Sequence, residues 1–193
     1  MQIYLIRHTT PDIEKGICYG QTDLAVNQAL FNEELKIIQA KIPDNIGNFF
    51  SSPLKRCKQL TGFLSTDYTT DNRLIELDFG DWEDKSWNEL NQNELTVWTQ
   101  DFVNNRPPNG ENYVELHHRT TNFIESLLNN DYESAGIVTH AGNIRSFISW
   151  TLNLPLENSF RIDLAYGAVI SLKIEKDRCY NKLTSINNST KIC

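Results

Sequence analysis

Two short apolar runs, Gln2–Ile6 and Ala135–Thr139, constrain the fold more than any other feature of the chain. Each is almost continuously apolar, the pattern of a strand buried on both faces of a parallel sheet. The first leads through Arg7 to His8, and the second leads directly to His140. Helical periodicity follows both. Asn27 reads as the cap of a helix carrying Phe31, Leu35, Ile38 and Ile42 and ended by Pro43. Ile46–Phe50 reads as another strand. Ser52-Pro53 then reads as an N-cap followed by proline at the first helical position, opening a helix to about Leu64 with Leu60, Phe63 and Leu64 inward. Weaker strand signals lie at Thr66–Thr70 and around Leu74. Residues 81–109 are rich in Trp, Asn, Gln and acids, with helical patches at Ser86–Asn91 and around Leu95, Trp98 and Phe102. Periodicity predicts further helices over Tyr113–Leu128 and Gly142–Leu152, then strands over Ala168–Ile174 and Tyr180–Ile186. Strand–helix alternation at both ends of a helical middle predicts an α/β fold, a mostly parallel sheet flanked by helices. A single domain over 1–193 is expected, with a small helical, cap-like insertion over about 81–128.

Charge narrows the partners. Eighteen basic against 25 acidic residues give a net charge of −7, which repels nucleic acid and anionic membranes. Small anions are not excluded, because exposed charges are screened beyond about 8 Å at physiological salt. No apolar run approaches the ~18 residues of a membrane span. The opening run is too short and lacks the basic leader of a signal peptide, so a cytoplasmic protein is expected. Cys18, Cys57, Cys179 and Cys193 contain no Cys-x-x-Cys pair. Free thiols are expected, with no metal site and no cofactor.

His8 and His140 both follow strands, and ligands of open α/β sheets bind beyond the carboxyl ends of parallel strands. The two should therefore share one sheet edge. His117 and His118 are adjacent on a predicted helix and read as surface residues. Arg7 precedes His8, and Arg56 lies in the first turn of the helix opened by Ser52-Pro53. Two guanidinium groups, two imidazoles and a helix N-terminus suit phosphate. At 4 Å each Arg–phosphate attraction is about 4 kcal/mol at an effective dielectric of 20, before desolvation. The run from Glu76 to Asp84 holds five acids in nine residues. Such a run is usually a solvated loop, but ester cleavage needs a proton donor near the leaving oxygen.

Four segments carry a resemblance. Leu5-Ile6-Arg7-His8-Thr9, Ser51-Ser52-Pro53-Leu54-Lys55-Arg56-Cys57, residues 74–83 from Leu74 to Glu83, and Val138-Thr139-His140-Ala141-Gly142 occur in the order seen in the histidine phosphatase superfamily. The resemblance implies the three-layer phosphoglycerate mutase-like fold. It implies His8 as nucleophile, with Arg7, Arg56 and His140 holding the phosphoryl group. Glu76 is implied as general acid, with Glu83 as its rival. Thr9, Gln21 and Thr22 fall where family members contact substrate, and Glu111 lies in a segment resembling a substrate-side motif. Tyr19-Gly20-Gln21-Thr22-Asp23-Leu24 resembles the α-ribazole phosphatase subgroup. Thr9, Thr10, Glu14 and Asp84 depart from the residues usual at their positions, Thr9 and Asp84 replacing glycine.

The expectation is a metal-independent phosphomonoesterase working through phosphohistidine on a small phosphorylated substrate. The subgroup resemblance implies α-ribazole 5′-phosphate, cleaved during cobalamin biosynthesis. Rivals are a phosphatase for another small ester or a phosphoprotein, a phosphoglycerate mutase, and a non-catalytic phosphate-ligand binder. Nothing in the sequence decides for or against a homodimer. The 81–128 insertion is where specificity is expected.

Overall fold

The computed structural model describes residues 1–188, so Cys193 lies outside the described residues. The strands are β1 (Gln2–Arg7), β2 (Asn48–Ser51), β3 (Thr69–Thr70), β4 (Ser134–Thr139), β5 (Val169–Lys173) and β6 (Lys182–Asn187). The helices are α1 (Gln28–Gln39), α2 (Lys55–Leu64), α3 (Gln92–Gln100), α4 (Tyr113–Leu128) and α5 (Ala141–Leu152). The strands form one six-stranded sheet of order β3-β2-β4-β1-β5-β6. The first four in that order run parallel, and β5 and β6 add an antiparallel edge. The chain is an α/β protein with a sheet between two helical layers.

Strand alternation builds the layers. Ile3 and Leu5 of β1 pack with Phe123, Ile144 and Phe147 of α4 and α5. Ile6 points the other way, onto Phe31, Leu35 and Ile38 of α1 and Leu60 of α2. In β1 and β4, Arg7 lies opposite Thr139, and the His8 N–H donates to the Thr139 carbonyl at 3.0 Å. This register delivers His8 and His140 side by side at one sheet edge.

Several local expectations change. Ser52 does not cap α2: its N–H continues the sheet ladder to Val138 O, and the helix starts at Lys55 after Leu54. Phe63 is 58% exposed, on the rim beside Phe31, rather than inward. Leu74 is buried in a 3₁₀ turn, Asn72–Leu74, instead of a strand. No helix forms over Ser86–Asn91. The Ser86 and Asn88 N–H groups are taken by the side chains of Glu89 and Ser86, and Asn91 caps α3. His117 is half-buried against α5, its Nδ1 2.8 Å from Ser146 Oγ, rather than a surface residue. Tyr180 lies in a 3₁₀ turn before β6.

Residues 77–116 build a third apolar cluster from Leu77, Trp82, Leu90, Trp98, Tyr113 and Leu116. Its aromatic rings meet edge-on, Trp82 and Trp98 with centroids 5.8 Å apart. Asn112 and Glu115 close a reciprocal capping box on α4. This cluster supports the segment that carries Glu76 and Glu83. No helix among the described residues is long and apolar enough to cross a membrane.

Candidate active site

The edge beyond β1 and β4 brings together His8, His140, Arg7 and Arg56. The two imidazoles meet edge-on with centroids 5.1 Å apart. His8 Nδ1 lies 2.7 Å from the Thr9 carbonyl. A carbonyl only accepts, so Nδ1 carries the hydrogen and Nε2 keeps its lone pair. His140 Nε2 is hydrogen-bonded to the Ser52 hydroxyl at 2.8 Å, with Cys57 Sγ 3.5 Å away. Burial pushes the Cys57 thiol up to about 12, so it stays protonated. Arg56 is fully buried and donates to the carbonyls of Thr22 and Gly20, both at 2.7 Å. Arg7 donates to Leu164 O and lies 4.1 Å from the Tyr166 ring centroid.

Three buried polar atoms here have no partner among the described residues: Arg7 Nε, Thr9 Oγ1 and Arg56 Nε. Buried donors are paired in nearly all native structures, so a set of them beside one histidine fits an anionic ligand. Among the described residues no three His, Cys, Asp or Glu side chains converge as a metal site would require.

Burial holds His8 well below the usual histidine range, with the charges of Arg56 and Arg7 adding to the effect. Burial does the same to His140, seconded by Arg56. Both rings are therefore neutral at neutral pH. The unfolded chain titrates near 6.5, so below that pH it binds protons the folded rings refuse. Stability should therefore fall as pH drops below about 6.5, by up to roughly 1.4 kcal/mol per pH unit for each buried ring. Urea unfolding between pH 7.5 and 5 checks this, and His8→Asn should make the slope shallower.

The two rival acids have different partners. Glu83 accepts from the N–H groups of Gln21, Thr22 and Phe79 and from the Thr22 hydroxyl. Burial alone would raise its carboxyl, but these donors, led by the Thr22 hydroxyl, outweigh burial and hold it below the usual range. Glu83 is thus a fixed carboxylate bracing the 20–22 loop, which in turn holds Arg56. Gly20 is needed there because a β-carbon would run into the Leu77 carbonyl oxygen and sit 2.6 Å from Glu83 Oε1. Glu76 instead accepts from Leu77 N–H at 2.9 Å and from Gly142 N–H at 3.1 Å, at the start of α5. A β-carbon at Gly142 would run into Glu76 Oε1 and press Leu116 at 3.1 Å. Gly142→Ala should displace Glu76 without removing it and lower kcat about 100-fold, as a misplacement of ~1 Å can. Steady-state kinetics and an unchanged far-ultraviolet circular dichroism spectrum check this.

The remaining expected site residues mostly serve these groups. Glu111 forms a two-point pair with Arg119, both contacts at 2.8 Å. Arg119 also donates to the carbonyls of Arg73, Ile75 and Glu76, which fixes the segment carrying Glu76. Gln21 Nε2 donates to Glu76 O at 3.2 Å, and Thr22 is engaged by Glu83 and Arg56. Thr9 is not among the described residues of positive φ, so glycine is not required at its position. Asp84 does adopt positive φ, at 63°, a conformation aspartate tolerates better than most residues. Sequence reasoning missed Tyr166, Arg119 and Arg145. Tyr166 sits beside His8 with centroids 5.6 Å apart and shares a hydroxyl–hydroxyl bond with Tyr19, whose ring faces Arg56.

The family model described as histidine phosphatase superfamily (branch 1) matches residues 3–188. A Hydrogenobacter thermophilus protein with the provisional description phosphoserine phosphatase 2 is 24% identical over 185 residues, covering 92% of this chain and 91% of its own. The α-ribazole phosphatase of Shigella flexneri superposes with a TM-score of 0.86 at 22% identity, covering 97% of this chain and 96% of that one. A mycobacterial glucosyl-3-phosphoglycerate phosphatase superposes with a TM-score of 0.86 at 19% identity, over 97% and 99% of the two chains.

Proposed function

The chain belongs to the histidine phosphatase superfamily, and on that premise we propose that it hydrolyses small phosphomonoesters through a phosphohistidine on His8, without a metal. One observation carries the reading. Buried, unpaired donors of Arg7, Thr9 and Arg56 flank a neutral imidazole whose Nδ1 is tied to a carbonyl. In this reading His8 Nε2 attacks phosphorus in line while Arg7 and Arg56 neutralise the transferring oxygens and His140 helps to hold them. Glu76 gives its proton to the departing alkoxide as the P–O bond breaks. The resulting carboxylate then takes a proton from water, whose oxygen attacks phosphorus and breaks the P–N bond. Phosphate leaves, and His8 and Glu76 return to their starting states.

Two substrate assignments have support. The 19–24 segment resembles α-ribazole phosphatases, and the Shigella flexneri structure bears that name. The structure gives most polar groups of that segment scaffold partners, namely Arg56 and Glu83. The Hydrogenobacter thermophilus relative points instead to phosphoserine. The test is phosphate release in EDTA from α-ribazole 5′-phosphate, phosphoserine and 3-phosphoglycerate, without bisphosphate primer. Release from at least one ester supports the phosphatase. Interconversion of phosphoglycerates only with primer would make the protein a mutase, and tight binding without release would make it a binder.

A further inference from the structure

Arg145 stands on α5 three residues beyond Gly142, on the same helix face and one turn further along. Its Nε donates to Ile162 O at 3.1 Å, and its guanidinium lies 4.8 Å from the Phe160 ring centroid. Arg7 donates to Leu164 O, two residues along the same segment. Arg7 and Arg145 are thus tied to one short stretch of chain, through carbonyls two residues apart. On its other flank, the start of α5 holds Glu76 through the Gly142 N–H, and the Tyr113 hydroxyl donates to the Gly142 carbonyl. Arg145 therefore stands on the Glu76 side of the phosphoryl-holding groups, where the leaving alcohol must sit.

Its charge has no counter-ion among the described residues. The two terminal amino groups donate to none of the described residues, and no described carboxylate lies within 4.0 Å of the guanidinium. Arg73 is paired with Asp71 and Arg119 with Glu111, whereas Arg145, like Arg7 and Arg56, has no carboxylate partner among the described residues. Asp163 is exposed, and Glu76 is turned to the N–H groups of Leu77 and Gly142. The phosphoryl oxygens already have Arg7, Arg56 and His140. A half-buried planar fork without a counter-ion matches a carboxylate bound at two points.

Resting on the phosphohistidine reading above, we propose that Arg145 is a specificity-determining residue that binds a carboxylate on the leaving alcohol. The preferred substrates are then phosphomonoesters of hydroxy acids. α-Ribazole 5′-phosphate has no such carboxylate, so this assignment chooses against it.

Two matched pairs test the proposal: phosphoserine against phosphoethanolamine, and 3-phosphoglycerate against glycerol 1-phosphate. Each pair differs at the carboxylate and keeps the phosphoryl group. The native protein should favour a carboxylate member by about 30-fold or more in kcat/KM, the scale of a charge-assisted two-point contact. Arg145→Gln should raise KM for that member by a similar factor and leave its carboxylate-free partner within about 3-fold. Arg145→Lys should recover part of the loss. Equal losses on both members would assign Arg145 to the phosphoryl group or to folding and overturn the proposal. Equal rates within both pairs for the native protein would overturn it even if Arg145→Gln does not fold. Absence of turnover on every ester would bring down the phosphatase reading itself, a result distinct from turnover without preference.

Discussion

His8→Ala is expected to lose at least about four orders of magnitude in turnover, equivalent to some 5.5 kcal/mol of transition-state stabilisation. No second group in the site can replace it. His140 has its Nε2 committed to Ser52, and the Cys57 thiol is held protonated by burial. Arg7 and Arg56 remain in the variant, so inorganic phosphate should still bind it, with a Kd within several-fold of the parent's. A variant that binds phosphate and does not turn over separates the nucleophile from the anion site. Retention of a tenth of the parent rate would remove His8 from the mechanism.

The second large effect distinguishes the two acids by leaving group. Glu76→Gln should slow hydrolysis of alkyl phosphates by about 10²- to 10⁴-fold, the usual contribution of a positioned proton donor. It should slow p-nitrophenyl phosphate far less, because that phenolate departs unprotonated. Glu83→Gln should act differently. The amide replaces one acceptor oxygen by a donor facing N–H groups, so the loop holding Arg56 loosens. A cost of about 1–3 kcal/mol in stability follows, and both leaving groups should suffer alike. Rates on the two esters and melting temperatures for both variants check this. A leaving-group-dependent loss in Glu83→Gln alone would reverse the assignment.

What was legible in the sequence was what local pattern controls. Two buried strands ending at histidines implied one shared edge, and the β1–β4 register places His8 and His140 there. The 113–128 periodicity matched α4 to the residue, because its apolar stripe and the Asn112–Glu115 capping box agree. Ser86–Asn91 reads as a helix, yet its start pairs with a distant segment instead: Ser86 bridges Ile17, and the Trp87 N–H donates to Gly16 O. Ser52 resembled a cap, yet it extends the sheet and its hydroxyl meets His140.

The site was legible for residues tied to strand ends and less so for residues that meet only through tertiary packing. Gln21 and Thr22 read as substrate contacts, but the order of residues does not tell which donors turn inward to Glu83 and Arg56. Arg145 carried one local signal, its place one turn beyond Gly142 on a predicted helix. Its lack of a counter-ion depends on the distant 160–164 segment and was invisible before folding. Tyr166 belongs to the same segment and was missed for the same reason.

The most direct measurement is a rapid-quench incubation in EDTA with a ³²P-labelled phosphomonoester that the protein turns over. The account predicts label on the protein, up to one phosphoryl per chain, that survives alkali, is lost in acid and maps to the peptide containing His8. His8→Ala should carry none. Turnover with no trapped label, or label on another residue, would contradict phosphohistidine chemistry at this site.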